Sequence, residues 1–475
     1  MIISQVLTVI GTMLVLLKTL DFIYLFQTKE YRFDRIRALF LDENIFHVFF
    51  DRWPRLPAKS TRNFLIFFQT VIILLLLGLI LVILPVVYAF LFLILSPVTA
   101  FLLTSFAVIT SGFLARIKRN SLIKLAKQKI INSKTIFIGI TGSYGKSTTK
   151  EFLYQMLSRK FKVSKTDENM NSDVGVAISI LKNLQKDTEI FIAEMGAYKR
   201  GEIKSICELV HPTFGIVTAL GNQHLELFGS KKNLVAAKQE LLVALPTFGK
   251  AYVNSEIPEY GQMIKTIKFK ISSFSLTKKA DIIAKDIKSK DGYLTAKIVY
   301  KKTDFPIKTK LFGFHNIMNI LPCVGLAYDL GISKFKIIEA VNNLQPFNKR
   351  LSLDKGINDA TIIDDSYNSN VEGFIAAINL AAQFRKKTKF LLTRGIIELG
   401  KEKISSYKRI LKKLDKSDLK LLTTDKLFAN LDKTHVKFFL NEQDLLNFVK
   451  DSADNQTLLI IEGKFPAGFI KSIIV

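Results

Sequence analysis

The chain has 475 residues, 49% of them hydrophobic, and a formal net charge of +27 at pH 7. This length predicts two or three domains, and the apolar content is ample for hydrophobic cores. The two cysteines and five histidines lack metal-site spacing, which argues against a zinc protein. The basic residues are spread along the chain without a nucleic-acid-binding motif, so nucleic acid is not expected as a partner.

The N-terminal segment, residues 2–26, is almost entirely apolar and long enough to cross a bilayer. Its two charged residues, Lys18 and Asp21, lie three apart and can pair on one face of a helix. The segment lacks a basic start and a small-residue cleavage site, which favours a membrane anchor over a signal peptide. A helix lying in the membrane interface is the alternative.

A second apolar run, residues 63–115, contains no charged side chain. One membrane-spanning helix needs about 20 apolar residues. The run therefore predicts two helices, 64–84 and 87–110, with Pro85 near the turn between them. Pro97 is expected to kink the second helix.

Basic residues flank this apolar run on both sides. The loop 27–63 carries eight lysines and arginines, and the segment 116–134 carries seven and no acidic residue. Two crossings return the chain to the same side, which the positive-inside rule makes cytoplasmic. Residues 1–118 are therefore predicted to anchor the chain with about three transmembrane helices, with membrane lipid as a partner.

Residues 136–157 have the pattern of a strand, a glycine-rich loop and a helix. Gly142 and Gly145 allow the backbone to approach phosphate groups, and Lys146 supplies positive charge. Ser147 offers a hydroxyl to Mg²⁺, and the N–H groups at the start of a helix favour an anion. The strict Walker A pattern has a glycine where Ile140 stands, and a chance glycine turn before a helix is the alternative. We predict an ATP site formed by Gly142, Ser143, Gly145, Lys146, Ser147 and Thr148.

Strands and helices alternate from residue 135 onward, which is typical of a parallel α/β sheet. Residues 280–312 alternate with period two, which predicts an antiparallel edge or subdomain. A second strand–helix series begins near residue 360. The predicted fold class is α/β, with a P-loop parallel-sheet ATPase domain at 119–343 and a C-terminal Rossmann-like α/β domain at 344–475, preceded by transmembrane helices.

Three further side chains follow the predicted phosphate loop in the same domain. Glu194 ends a buried strand, where ligands of open α/β sheets bind, and a carboxylate there suits Mg²⁺. His224 follows the next strand and offers a neutral imidazole at the same edge, and Lys238 lies in a predicted helix. Taken singly, each has an ordinary structural explanation: a surface acid, a loop histidine and a solvated lysine.

Together these segments resemble the Mur ligases, ATP-dependent amide ligases of peptidoglycan precursor synthesis. Residues 141–147 are similar to the family's shorter phosphate loop, Thr-Gly-x-x-Gly-Lys-Ser/Thr. Further similarity to Gly-x-His-Asn-x-x-Asn, Gly-Arg-Leu and Asp-Asp-x-Tyr-Asn-Ala-Asn lies at residues 313–319, 349–351 and 364–370. The last segment, with residues 194–197 and 398–400, resembles the MurF branch. The resemblance extends over about residues 135–475.

This resemblance implies a set of ligand roles. Lys146 would hold the β- and γ-phosphates of ATP, while Ser147 and Glu194 would ligate one Mg²⁺ ion. His224 would serve a second Mg²⁺, and Lys238 would occupy a position that is carbamylated in several members of the family. Asn316 would bind the adenine, and Arg350 would bind the γ-phosphate. Asp365 would contact the nucleotide from the C-terminal domain.

The resemblance also implies the reaction and the partners. An acceptor carboxylate on a muramoyl peptide would become an acyl phosphate, and the amine of D-alanyl-D-alanine would then displace phosphate. Such an enzyme would act in cell-wall synthesis at the bacterial cytoplasmic membrane. Apolar helices stand where the usual MurF has a domain for its UDP-sugar, so UDP-linked and lipid-linked acceptors both remain open. A membrane-bound ligase of another pathway, such as a polyglutamate-type synthase, and a non-catalytic scaffold are the alternatives.

Overall fold

The structure is a computed structural model that describes residues 2–42, 45–51, 54–221, 225–290, 293–311, 313–345, 352–366, 371–382, 384–396, 399 and 402–474. The chain divides into two compact units, Met1–Lys124 and Leu125–Val475. The first unit is helical, and the second contains two β-sheets with helices packed on them.

Long apolar helices make up the N-terminal unit. Its helices are α1 (Ile2–Thr28), α2 (Phe33–Asp42), α3 (Thr61–Ile83), α4 (Val86–Ile94) and α5 (Ser96–Ile131, which continues into the second unit), with a π-helical turn at His47–Asp51. Within the described part of the chain, α1, α3 and α5 are long and apolar enough to cross a membrane. The predicted spans 2–26 and 64–84 correspond to α1 and α3.

The third predicted span, 87–110, is divided between two helices. Helix α4 ends at Ile94 and α5 begins at Ser96. Pro97 is thus the second residue of α5, where its missing N–H removes no helical hydrogen bond. The kink expected at this proline is therefore replaced by a helix break just before it.

Close packing in this unit depends on a glycine of α1. A Cβ atom added to Gly11 would lie 2.7 Å from a ring carbon of Phe92 on α4, so a larger residue would require the Phe92 ring or one of the two helices to shift. The outward faces remain apolar, because Phe64, Leu79 and Ile109 are 67%, 68% and 63% exposed. Apolar side chains exposed along such long helices fit a lipid environment.

The first sheet of the second unit contains nine strands. They are β1 (Ile136–Thr141), β2 (Val163–Lys165), β3 (Ile190–Glu194), β4 (Phe214–Val217), β5 (Lys250–Asn254), β6 (Lys270–Ser275), β7 (Ile282–Lys290), β8 (Tyr293–Tyr300) and β9 (Thr303–Thr309). Their order is β2-β3-β1-β4-β5-β6-β7-β8-β9. The strands from β2 to β7 in this order pair in parallel, whereas β8 is antiparallel to both β7 and β9. This arrangement confirms a parallel α/β sheet with an antiparallel edge.

Helices cover both faces of this sheet. They are α6 (Lys146–Leu157), α7 (Asp173–Asn183), α8 (Glu202–Val210), α9 (Leu225–Phe228), α10 (Lys231–Ala244), α11 (Tyr260–Ile264), α12 (Phe314–Asp329) and α13 (Lys334–Asn342). On one face, Ile138 of β1 joins a buried cluster with Phe152 of α6 and Ile320 of α12. On the other, a Cβ atom added to Gly139 would lie 2.7 Å from the Leu241 side chain of α10. Strand β1 is therefore buried on both sides, as its continuous apolar run requires.

The second sheet lies in the C-terminal part of the chain. Its strands are β10 (Ser352–Lys355), β11 (Thr361–Asp365), β12 (Thr388–Thr393), β13 (Lys420–Thr423), β14 (Val436–Phe438) and β15 (Thr457–Glu462), and a 3₁₀ turn covers Ile357–Asp359. The strand order is β10-β11-β15-β12-β13-β14, with only β10 antiparallel to its neighbour. Its helices are α14 (Val371–Ala381), α15 (Lys403–Leu414), α16 (Lys426–Leu431), α17 (Glu442–Ser452) and α18 (Ala467–Lys471).

Two separate cores flank this second sheet, as expected for a Rossmann-like domain. One contains Phe374 of α14 and Ile410 of α15, and the other contains Leu445 of α17 and Phe469 of α18. The predicted domain limits at 118/119 and 343/344 stay predictions. In the described residues, α13 ends at Asn342 and the next strand begins at Ser352.

Candidate active site

The turn between β1 and α6 has the geometry of a phosphate-binding loop. Gly142 and Gly145 have φ angles of 151° and 82°, which residues with a Cβ atom rarely adopt. A Cβ atom added to Gly145 would also lie 2.5 Å from Oδ1 of Asn319 on α12. Helix α6 begins at Lys146, and the first turn of a helix presents backbone N–H groups that favour an anion.

The side chain of Lys146 folds back over this loop. Its Nζ donates to the carbonyl oxygens of Gly142 at 2.8 Å and Ser143 at 3.1 Å. Thr218, just after β4, donates its hydroxyl to the carbonyl of Tyr144 at 2.6 Å. The loop is therefore fixed to the end of the neighbouring strand, with an ammonium group held beside it.

Glu194, the last residue of β3, lies buried beside Ser147 in the first turn of α6. Ser147 Oγ donates to Glu194 Oε1 at 3.0 Å, and the side-chain amide of Asn171 donates to the same oxygen at 3.2 Å. The other oxygen, Oε2, lies 3.1 Å from Nζ of Lys150. Thr148, the neighbour of Ser147, is 7% exposed. The site thus joins a hydroxyl and a carboxylate at the carboxyl end of a parallel strand.

Opposing effects act on the carboxyl group of Glu194. Burial raises its pKa, but the charges of Lys150 and Lys146 and the hydrogen bond from Asn171 lower it, and the net direction of the pKa is downward. Glu194 is therefore ionised at neutral pH. An ionised carboxylate beside a hydroxyl is a set of hard oxygen donors of the kind that Mg²⁺ prefers.

Lys238 lies inside α10 and is 3% exposed. Burial, followed by repulsion from Lys146, lowers the pKa of Lys238 to about 7, although Glu202 and Glu240 act in the opposite direction. Among the described residues its Nζ has no hydrogen-bond or ion-pair partner, and its contact with the Phe228 ring spans 5.8 Å to the ring centroid. Much of the amine is therefore neutral at physiological pH.

The remaining predicted ligands lie on other elements. Asn316 is in the first turn of α12 and is 8% exposed, three residues before the asparagine that contacts the phosphate loop. Asp365 ends β11 of the C-terminal sheet, in register with Glu462. His224 and Arg350 lie outside the described residues. Of the predicted set, the structure brings Lys146, Ser147 and Glu194 together, with Lys238 close enough to be repelled by Lys146.

Sequence reasoning missed two residues of this site, Lys150 and Thr218, and placed the segment 169–175 near the phosphate loop without giving Asn171 a role. Lys150 is three residues after Ser147 on α6 and so shares its face of the helix, which was the available signal. Asn171, in the loop after β2, comes near Glu194 because β2 pairs with β3, and Thr218 comes near the phosphate loop because β4 pairs with β1. The sequence does not specify that strand order.

Comparison with known sequences supports a single family. Residues 140–327 match the model of the Mur ligase middle domain. The chain is 27% identical to the UDP-N-acetylmuramoyl-tripeptide–D-alanyl-D-alanine ligase of Bacillus subtilis, over 71% of this chain and 75% of that protein. It is also 27% identical to the ligase of the same name from Borreliella burgdorferi, over 72% of this chain and 76% of that protein.

Solved structures show the same similarity in the fold. A crystal structure of MurF from Acinetobacter baumannii has a TM-score of 0.64 and 26% identity, over 73% of this chain and 77% of that one. MurF from Thermotoga maritima in complex with ADP shares the fold with a TM-score of 0.67 and 23% identity, over 74% of this chain and 82% of that one. The chain therefore carries a Mur ligase middle domain and is a homologue of the MurF ligases.

Proposed function

We propose that this chain is an ATP-dependent amide ligase that joins D-alanyl-D-alanine to a muramoyl tripeptide at the cytoplasmic face of a membrane. The relatives from Bacillus subtilis and Borreliella burgdorferi are named for that ligation. The observation that carries the proposal is the buried Ser147–Glu194 pair beside the phosphate-binding loop. The pair supplies a hydroxyl and a carboxylate where a metal-bound triphosphate needs oxygen ligands.

Phosphate binding is assigned to the loop and to Lys146. The N–H groups of Gly145 and of the first turn of α6, with the Lys146 ammonium, would hold the β- and γ-phosphates. Ser147 and Glu194, whose oxygens are 3.0 Å apart, fit a Mg²⁺ ion because both are hard donors. When bound, Mg²⁺ neutralises charge on the transferring phosphoryl group. The protein residues position that group for attack by the acceptor.

The proposed reaction has two steps. An oxygen of the acceptor carboxylate attacks the γ-phosphorus, ADP leaves, and an acyl phosphate forms. The amine of D-alanyl-D-alanine then attacks the acyl carbon, the carbon–oxygen bond to phosphate breaks, and the nitrogen loses a proton as the amide forms. In the roles implied by the resemblance, Arg350 would neutralise the γ-phosphate, Asn316 would bind the adenine, and Asp365 would contact the nucleotide from the C-terminal domain.

Lys238 is the proposed site of a carbamate. A pKa of about 7 leaves much of its amine unprotonated at neutral pH, and an unprotonated amine adds to CO₂ with loss of a proton. The product is an anion with oxygen donors, which turns a buried cation into a possible metal ligand. Together with His224, it would serve a second Mg²⁺ ion.

We also propose that α1, α3 and α5 anchor the enzyme in the bacterial cytoplasmic membrane. The support is their length and apolar composition, and the basic segments on both sides of residues 63–115 favour cytoplasmic catalytic domains. The acceptor would then be either the UDP-linked tripeptide or a form linked to a membrane lipid. Both would offer the same carboxylate to the site.

The test uses purified full-length protein in detergent with ATP, Mg²⁺, D-alanyl-D-alanine and either the UDP-linked or the lipid-linked muramoyl tripeptide. We expect phosphate release and a product of the mass of the amide with one of the two acceptors. Lys146→Ala should abolish both signals, whereas Lys186→Ala, at an exposed position after α7, should not. Turnover only with other carboxylates would indicate a related ligase of another pathway. Absence of turnover with every acceptor would support a scaffold.

A further inference from the structure

A buried lysine of α6 forms an ion pair with the proposed metal ligand. Lys150 is 1% exposed, and its Nζ lies 3.1 Å from Oε2 of Glu194, which is 3% exposed. The same Nζ donates to the carbonyl oxygen of Thr166, just after β2, at 3.0 Å. The Thr166 hydroxyl in turn accepts the backbone N–H of Glu194 at 3.1 Å. Lys150 is thus fixed at two points around one carboxylate.

The two oxygens of that carboxylate have different partners. Oε1 accepts from Ser147 and Asn171, and Oε2 faces Lys150. Only Oε1 therefore lies on the side of the Ser147 hydroxyl, next to the phosphate loop. An ammonium beside Oε2 repels a second cation, so a metal ion is directed to Oε1.

A purely structural role does not account well for this arrangement. Buried ion pairs contribute little net stability compared with apolar residues of the same volume, because both charges must be removed from water. The pair lies at the phosphate loop, where Ser147 and Lys150 share one face of α6 and contact different oxygens of the same carboxylate. Groups that hold a ligating carboxylate in place influence metal affinity by about 10–100-fold.

We propose that Lys150 is a positioning residue that holds Oε2 of Glu194, so that the carboxylate offers only Oε1 to a nucleotide-bound Mg²⁺. The proposal rests on the proposed function in one respect, namely that the phosphate loop binds a Mg²⁺-nucleotide. Because Mg²⁺ requires near-octahedral geometry, a carboxylate free to turn or to bind through both oxygens would hold it less well. Lys150 itself does not contact the nucleotide in this account.

The test measures the affinity for ADP by isothermal titration calorimetry, with excess Mg²⁺ and with EDTA, on full-length protein in detergent. The dissociation constant in EDTA divided by the dissociation constant with Mg²⁺ reports how strongly the metal ion supports binding. In Lys150→Met we expect this ratio to fall about 10–100-fold, the usual effect of removing a group that orients a metal ligand. Affinity in EDTA should remain near the wild-type value, because the phosphate loop is unchanged.

Lys162→Met is the matched control. Lys162 pairs with Asp187 at 2.7 Å and its side chain is 69% exposed, so its removal deletes an ion pair of the same unit that involves neither Lys150 nor Glu194. Its ratio should equal that of the wild type. If Lys150→Met does not fold, Lys150→Arg keeps the charge but not the geometry, and it should lower the ratio by a smaller factor.

The outcomes separate this role from the proposed function. A wild-type ratio in Lys150→Met or Lys150→Arg, with metal-dependent ADP binding intact, would overturn the positioning role alone. Equal losses of affinity with Mg²⁺ and with EDTA would also overturn it, because they would indicate a general distortion of the loop. Wild-type protein that binds no ADP in either condition would overturn both proposals.

Discussion

Replacing Lys238 by methionine should stabilise the second unit and remove a pH dependence. The pKa of Lys238 lies below its ordinary value of 10.5, at about 7, so the unfolded chain binds a proton more tightly than the folded one. The loss of folding stability that Lys238 causes is fully present below pH 7 and is relieved as the pH rises towards 10.5. Since one pH unit corresponds to about 1.4 kcal/mol, the variant should gain at most about 4 kcal/mol at pH 7 and about 2 kcal/mol at pH 9.

Urea unfolding of the full-length protein in carbonate-free buffer and detergent, followed by circular dichroism at several pH values, measures this effect. Between pH 7 and pH 10 the wild type should gain stability relative to Lys238→Met. The matched control is Lys232→Met, which replaces an exposed lysine of the same helix and should keep the wild-type slope. A Lys238→Met protein that is less stable at every pH, with an unchanged slope, would refute the assignment of a neutral buried amine.

Two further variants test the loop and the anchor. Gly145→Ala places a Cβ at a φ of 82° and 2.5 Å from Asn319 Oδ1. Because the backbone conformation costs a residue with a Cβ about 1–2 kcal/mol, ADP should bind about tenfold more weakly. An unchanged affinity in calorimetry would contradict a rigid loop. In cells, the cysteine of the Lys59→Cys variant should lie on the cytoplasmic side and react with a membrane-impermeant maleimide only after permeabilisation. The cysteine of the Leu84→Cys variant should lie on the opposite side and react in intact cells. The reverse pattern would invert the proposed topology.

The sequence predicted the elements whose signals are local. The apolar run before Thr141, the glycines that follow it and the helix after Lys146 lie next to each other in the chain, so a strand–loop–helix unit could be read directly. Glu194 was predicted because it ends an apolar strand, and the carboxyl ends of parallel strands meet at one edge. The antiparallel strands between residues 280 and 312 likewise follow from their period of two.

Other features depend on contacts between distant segments. Lys150 resembles any surface lysine of a helix in the sequence, and its burial appears only once Glu194 and Thr166 come to lie beside it. The low pKa of Lys238 has the same origin, because burial within the fold is its largest cause. Within the apolar run, hydropathy identifies helices that could span a membrane but does not reveal the break between α4 and α5.

The most direct test of carboxylate activation follows an oxygen atom. If the γ-phosphate of ATP is transferred to the acceptor carboxylate, the phosphate that leaves after amide formation carries one oxygen from that carboxylate. With a muramoyl tripeptide labelled with ¹⁸O in the accepting carboxyl group, ATP, Mg²⁺ and D-alanyl-D-alanine, mass spectrometry should find ¹⁸O in the released phosphate. Phosphate without the label, from a reaction that releases phosphate in the presence of both substrates, would contradict the acyl-phosphate mechanism.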